Sequence, residues 1–222
     1  MRTGMAEMKT LINLSLFRLL FIALTIFLSL CITSRSESNM NLRKEGMIRG
    51  AHSSFLIDDF SQSEGVSSIG TQWRMFTDRV MGGISTASFG YEIIDGRRCL
   101  RLQGSASLEN NGGFIQVALP LEQSGHFFDA SDFTGVRLWV RGNGKHYYVH
   151  LRTNQTRLPW QFFEAEFTAN IKWEKVEIPF QQFIPENLRV QLNSEKLNRI
   201  AIVAKKKEFQ ADIAVSRLEF YQ

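Results

Sequence analysis

Beyond residue 54 the apolar positions recur at every second residue in short runs, the period of a strand with one buried face. Phe55-Leu56-Ile57 opens the first run and Asp58-Asp59 closes it. Further strands are expected over 87–94, 97–103, 114–119, 136–141, 146–152, 160–167, 172–178, 199–204 and 213–221. Turn-forming residues separate them, and no amphipathic stretch long enough for a core helix intervenes. Many short strands without helices predict an all-β fold, a sandwich or a barrel. The chain shows no internal repeat or low-complexity tract.

Alternation also assigns faces. In 136–141 the core side is Val136, Leu138 and Val140, leaving Arg137, Trp139 and Arg141 on the other side. In 146–152, Tyr147, Val149 and Leu151 point inward while His146, Tyr148, His150 and Arg152 point out. Gly142-Asn143-Gly144 joins the two runs, so they are expected to pair as a hairpin. Their outer residues then form one aromatic and basic surface, which Trp160 or Phe162 would extend. Rings mixed with planar guanidinium groups suit sugar-stacking faces and protein interfaces alike. The alternative is an outer sheet face on which arginine stems merely cover rings.

The first fifty residues have a different character. Of 26 basic and 22 acidic groups, seven and three fall there, leaving 19 of each in the remainder. The formal +4 therefore belongs to the N-terminal segment. A balanced domain is not what capture of nucleic acid through its phosphates requires. Leu19 to Ile32 is uncharged and apolar, follows Lys9 and Arg18, and is shorter than the ~20 residues needed to span a bilayer. Residues 1–34 are accordingly expected to be a signal peptide, or else a membrane anchor, with Ile32-Thr33-Ser34 as the cleavage site. Residues 35–54 read as a polar linker and 55–222 as the folded domain. The domain is thus expected outside the cytoplasm, touching the membrane through its N-terminal segment.

Candidate chemistry is sparse. Cys99 is alone in the domain, so no internal disulfide forms, and its place in a strand-like run suits a packed thiol. Asp58, Asp59 and Asp78 have no partner at a spacing that glycosidic chemistry requires, and read as turn acids. His52, His126, His146 and His150 lack a further ligand at a recognisable offset and read as surface residues, with no metal expected. No nucleophile elbow, phosphate loop or dinucleotide fingerprint occurs, so no cofactor is expected. Lys205-Lys206-Lys207 reads as a solvated basic run.

Two glycine pairs complete the pattern. Gly82-Gly83 and Gly112-Gly113 lie beside short polar side chains, Asp78 and Ser85 at the first and Asn110 and Asn111 at the second. Such pairs suit positive φ or close approach of backbone, and Gly83 is expected at positive φ with Asp78 and Ser85 satisfying the tight loop. The string Asp78-Arg79-Val80-Met81-Gly82-Gly83-Ile84-Ser85, five residues after Trp73, resembles the signature of the complex I intermediate-associated protein 30 family. Leu102-Gln103-Gly104 with Asn111-Gly112-Gly113-Phe114 is similar to that family's second block, and 135–148 to its third, with Asn143 where an Asp is usual. Residues 162–167 and 173–180 are similar to its fourth. Near the end the family commonly has Gly-Pro-Phe, and this chain reads Glu208-Phe209-Gln210-Ala211.

The resemblance implies a jelly-roll β-sandwich of the galactose-binding-domain-like type. It also implies a noncatalytic protein-binding module that helps assemble respiratory complex I (NADH:ubiquinone oxidoreductase) by holding unfinished subunits. A carbohydrate-binding module of an exported protein is the alternative reading, and an unrecognised hydrolase a third.

Overall fold

The computed structural model describes residues 54–62, 65–123 and 125–222. The expected signal or anchor segment and the linker up to residue 53 lie outside the described residues. The chain folds as β1 (Ser54–Asp58), β2 (Arg74–Thr77), β3 (Thr86–Ile94), β4 (Arg97–Ala106), β5 (Phe114–Pro120) and β6 (Gly135–Gly142). It continues as β7 (Lys145–Thr153), β8 (Phe162–Ala169), β9 (Glu174–Pro179), β10 (Ile184–Glu186), β11 (Leu197–Lys205) and β12 (Phe209–Tyr221). The expected strands all form. Two further ones, β2 and β10, were not legible from alternation because each has four residues or fewer and closes an edge of a sheet.

Two antiparallel sheets of six strands face each other as a jelly-roll sandwich. The first runs β3-β4-β12-β6-β9 with β1 beside β12, and the second runs β10-β8-β7-β11-β5-β2. Their inner faces interdigitate through residues such as Leu100, Leu102, Leu138, Val149, Leu151, Phe163 and Phe220, all under 2 % exposed. Burying alternate side chains of both sheets is what fixes the register of each strand.

The expected hairpin between β6 and β7 does not form. β6 lies between β12 and β9 in the first sheet, and β7 between β11 and β8 in the second. Gly142-Asn143-Gly144 carries the chain from one sheet to the other, held where Gly142 N–H donates to Asn170 O at 2.7 Å and Gly144 N–H to Ala169 O at 2.8 Å. A tight turn reverses the chain without specifying which sheet receives it. Each strand has a fully buried inner row, and facing sheets bury both rows at once. The alternation therefore holds within each strand, with Val136, Leu138, Val140, Tyr147, Val149 and Leu151 all at 0 % exposure.

Candidate functional site

The glycine signature forms a clamp around one buried carboxylate. Asp78 opens a single 3-10 turn, Asp78–Met81, capped by Thr77 and ended by Gly82 at φ 90°. Its side chain is fully buried. Oδ1 accepts from Ser85 N–H at 3.0 Å, and Oδ2 accepts from the Ser85 hydroxyl, from Gly113 N–H at 2.6 Å and from Phe114 N–H at 3.4 Å. The Ser85 oxygen in turn accepts from Ser107 N–H at 2.9 Å. Burial pushes the Asp78 pKa up, but these bonds outweigh it and hold the carboxyl below its ordinary value.

The glycines are explained by approach more than by conformation. Gly83 is buried, and a Cβ there would overlap Asp78 Cγ and Oδ1. The expectation that Gly83 sits at positive φ is corrected: Gly82 and Gly113 do, and Gly83 does not. A Cβ on Gly112 would lie 2.5 Å from Asp78 Oδ2 and 2.9 Å from two backbone carbonyls. Trp73, the signature's aromatic, is 5 % exposed and donates its indole N–H to buried Asp58 at 2.8 Å. Asn110 takes a left-handed φ of 55° within the second loop, and Met81 is exposed. The signature is therefore mainly a structural clamp joining the β2–β3 and β4–β5 connections.

Sheet placement splits the expected binding face into two opposite surfaces. Arg137, Trp139 and Arg141 lie on the outside of the first sheet, where nearly every charge is neutralised. Arg137 pairs with Glu177 at 2.8 Å and with Glu219 at 2.7 Å, and Arg141 pairs with Asp95 at 2.6 Å. Arg101 binds Asp212 through two contacts of 2.8 Å. The Arg217 guanidinium lies 5.9 Å from the Trp139 ring centre. On this side the reading of arginines that cover rings describes the surface well.

His146, Tyr148, His150 and Arg152 lie outside the second sheet, with Trp160 exposed in the connection before β8. Here polar groups are buried. Tyr148 is 7 % exposed, His150 8 % and Glu164 7 %, which corrects the expectation that His150 is a surface residue. The His150 ring stacks on Phe162, centroids 4.0 Å apart and planes at 10°. Glu164 pairs with Lys205 and, at 2.6 Å, with Lys206. The same two ammonium groups lie over rings, Lys205 at 4.5 Å from Phe162 and Lys206 at 4.8 Å from Tyr148. Lys205 and Lys206 are thus structural partners and not merely a solvated run. The Tyr148 hydroxyl donates to Glu166 at 2.6 Å, and exposed His146 pairs with Glu166 at 3.0 Å.

Electrostatics follow from that burial. Burial pushes His150 down to about 4, against the opposing pull of Glu164, so the imidazole is neutral near pH 7. Burial alone would raise Glu164, but His150, Lys205 and Lys206 overcome it and hold the carboxyl well below its ordinary range. The Cys99 thiol is fully buried and pushed up by that burial, as a packed thiol should be. Among the described residues, no three His, Cys, Asp or Glu side chains gather into a set that could hold a metal ion.

Comparison with solved structures finds the same architecture in carbohydrate-binding modules. The family 11 module of the cellulase Lic26A-Cel5E of Clostridium thermocellum is 13% identical, with a TM-score of 0.58 over 77% of this chain and 95% of that one. The Clostridium thermocellum family 11 module in complex with a β-1,3-1,4-mixed-linked tetrasaccharide is also 13% identical, with a TM-score of 0.56 over 75% and 94%. A family 30 carbohydrate-binding module is 12% identical, with a TM-score of 0.53 over 74% and 86%. At these identities the likeness establishes the fold. No curated protein matches the chain by sequence. Residues 59–214, which contain the Asp78 clamp and most strands of both sheets, match the profile of complex I intermediate-associated protein 30, and the chain belongs to that family.

Proposed function

We propose that this protein is a noncatalytic binding module that captures a protein partner through the outer face of the second sheet, in the manner of an assembly factor for respiratory complex I. The observation that carries the reading is the cluster of Tyr148, His150, Phe162, Glu164 and Lys205 on that face, all buried or part-buried, with exposed Lys206 paired to Glu164. Buried charge at a surface costs folding energy and suits an interface, where aromatic and cationic anchors dominate binding. Family membership supports subunits of a respiratory complex as the class of partner. The N-terminal segment would deliver the domain across, or tether it to, a membrane. N-terminal sequencing tests this, with a start near Arg35 marking export and an intact, soluble cytoplasmic chain refuting both forms.

Carbohydrate binding is the second reading, supported by the fold shared with the family 11 and family 30 modules. Against it, Phe162 is stacked by His150 and capped by Lys205, and Tyr148 is approached by two lysines. Those rings are engaged by the protein's own groups instead of lying open to a sugar. Cross-linking the full chain in membrane extracts, with mass spectrometric mapping, tests the proposal. Links should fall around Phe162 and Lys206, and Lys206→Glu should weaken capture about tenfold. Competition by a mixed-linkage β-glucan tetrasaccharide would select the carbohydrate reading.

A further inference from the structure

The two outer faces treat arginine differently. On the first sheet Arg101, Arg137, Arg141 and Arg217 all meet carboxylates within 3.1 Å, and only Arg97 and Arg98, at the start of β4, meet none among the described residues. On the second sheet Arg74, Arg152 and Arg199 form no ion pair with any of the described residues. Their placement makes this costly. Arg199 and Arg152 are directly opposed across β11 and β7, and Arg74 reaches the same patch from β2, whose Arg74 pairs with Ala118 while Arg199 pairs with Pro120 on β5. Like charges directly opposite on neighbouring strands destabilise a sheet. Arg199 and Arg152 are also part-buried, and burial followed by the neighbouring guanidinium lowers the pKa of each.

The patch is shaped as well as charged. Its floor is Ala118 and Ala201, paired across β5 and β11 and both nearly fully buried, beside the part-buried Arg199 and the exposed Arg74. Arg152 is held in place, donating to Leu158 O at 2.8 Å and Thr156 O at 3.2 Å, so its orientation is set before any ligand arrives. Arg199 and Arg74 make no side-chain hydrogen bond to the described residues and keep their donors available. The Phe76 ring has the Arg199 guanidinium 5.9 Å from its centre, so that ring is already engaged by the protein's own cation.

We propose that Arg74, Arg152 and Arg199 form a subsite for an acidic peptide segment, whose Asp or Glu carboxylates neutralise the unpaired guanidinium groups when a protein partner docks on this face. Planar forks recognise carboxylates bidentately, and the Phe76 ring beside the patch already lies under the Arg199 guanidinium, which favours acidic side chains over an acidic sugar. This subsite refines the partner-binding reading above and rests on it.

The test titrates a poly-glutamate peptide into the full chain in mild detergent, with oligogalacturonate and inorganic phosphate as parallel probes. The peptide should bind, weaken as salt rises, and compete better than either other probe. Arg199→Gln should reduce its affinity about tenfold without lowering Tm, since a repulsive charge is removed. Exposed Arg74→Gln is the second variant, expected to weaken binding several-fold. Arg141→Gln, on the opposite sheet, should change nothing. Unchanged peptide affinity in both Arg199→Gln and Arg74→Gln overturns the subsite, and so does tighter binding of oligogalacturonate or equal binding of phosphate. If the variants fail this way while Lys206→Glu still weakens cross-linked capture, the subsite falls and the partner-binding face stands. Loss of protein capture with binding of oligogalacturonate instead overturns both.

Discussion

Gly83→Ala isolates the reasoning behind the clamp. The new Cβ would overlap the Asp78 carboxyl carbon and Oδ1, and would sit 2.8 Å from Asp78 Cβ. Asp78 cannot step aside cheaply, because its two oxygens accept from Ser85, Gly113 and Phe114 in a fully buried site. Displacing it forfeits at least two charge-assisted hydrogen bonds at about 1.5–3 kcal/mol each, so a loss near 4 kcal/mol is expected. For a domain of this size that corresponds to roughly 10 °C in Tm. Gly82→Ala makes the comparison. Its Cβ would meet nothing within 4 Å, so only the left-handed φ of 90° is penalised, about 1–2 kcal/mol. Urea unfolding of both variants, alone and in an Asp78→Ala background, measures the difference. With Asp78 truncated the carboxyl atoms are gone and only its Cβ, 2.8 Å away, still crowds the new methyl, so Gly83→Ala should then cost at least about 2 kcal/mol less than in the parent. Equal costs in the two backgrounds would refute the steric account. A stable Gly83→Ala protein that failed only in partner capture would move the clamp into the binding site.

Four further outcomes are expected. Folded His150 titrates near 4 instead of 6.5, so the unfolded chain takes up a proton that the folded chain refuses. Stability present above pH 6.5 is therefore lost as pH falls towards 4, by about 2 kcal/mol between 6.5 and 5, and urea midpoints of His150→Gln should lack that decline. Glu164, held below its ordinary value, adds a separate loss below about pH 4.5; an identical acid profile in Glu164→Gln would contradict its pairing. Leu138→Ala should cost about 2–5 kcal/mol through a core cavity, while Trp139→Ala should cost little stability and leave capture intact, because it faces away from the second sheet. Arg137→Ala should destabilise by about 3 kcal/mol, since Glu219, 2 % exposed, would keep Arg217 alone as its counter-charge; thermal melting that matched the parent would show the pair to be dispensable.

Much of this molecule was settled by local pattern. Leu138 against Trp139, and Val149 against Tyr148, separate inward from outward because successive side chains of a strand leave on opposite sides, whatever the strand pairs with. The short edges β2 and β10 lack enough residues to show that period. The signature from Asp78 to Ser85 was equally legible as a string, since tight backbone beside a short acid is a local feature. Its reason was not, because the atom that a Cβ on Gly112 would meet most closely belongs to Asp78, far away along the chain. Sheet membership was likewise beyond alternation. Gly142-Asn143-Gly144 reads the same whether the chain returns to its own sheet or crosses to the facing one, and burial of both inner rows decided the crossing. That choice moved Trp139 away from Tyr148. Charge pairing depended on register in the same way: Arg137 found Glu177 and Glu219 across its strand neighbours, while Arg152 found Arg199, and only the folded sheet brings two cations face to face without an acid between them.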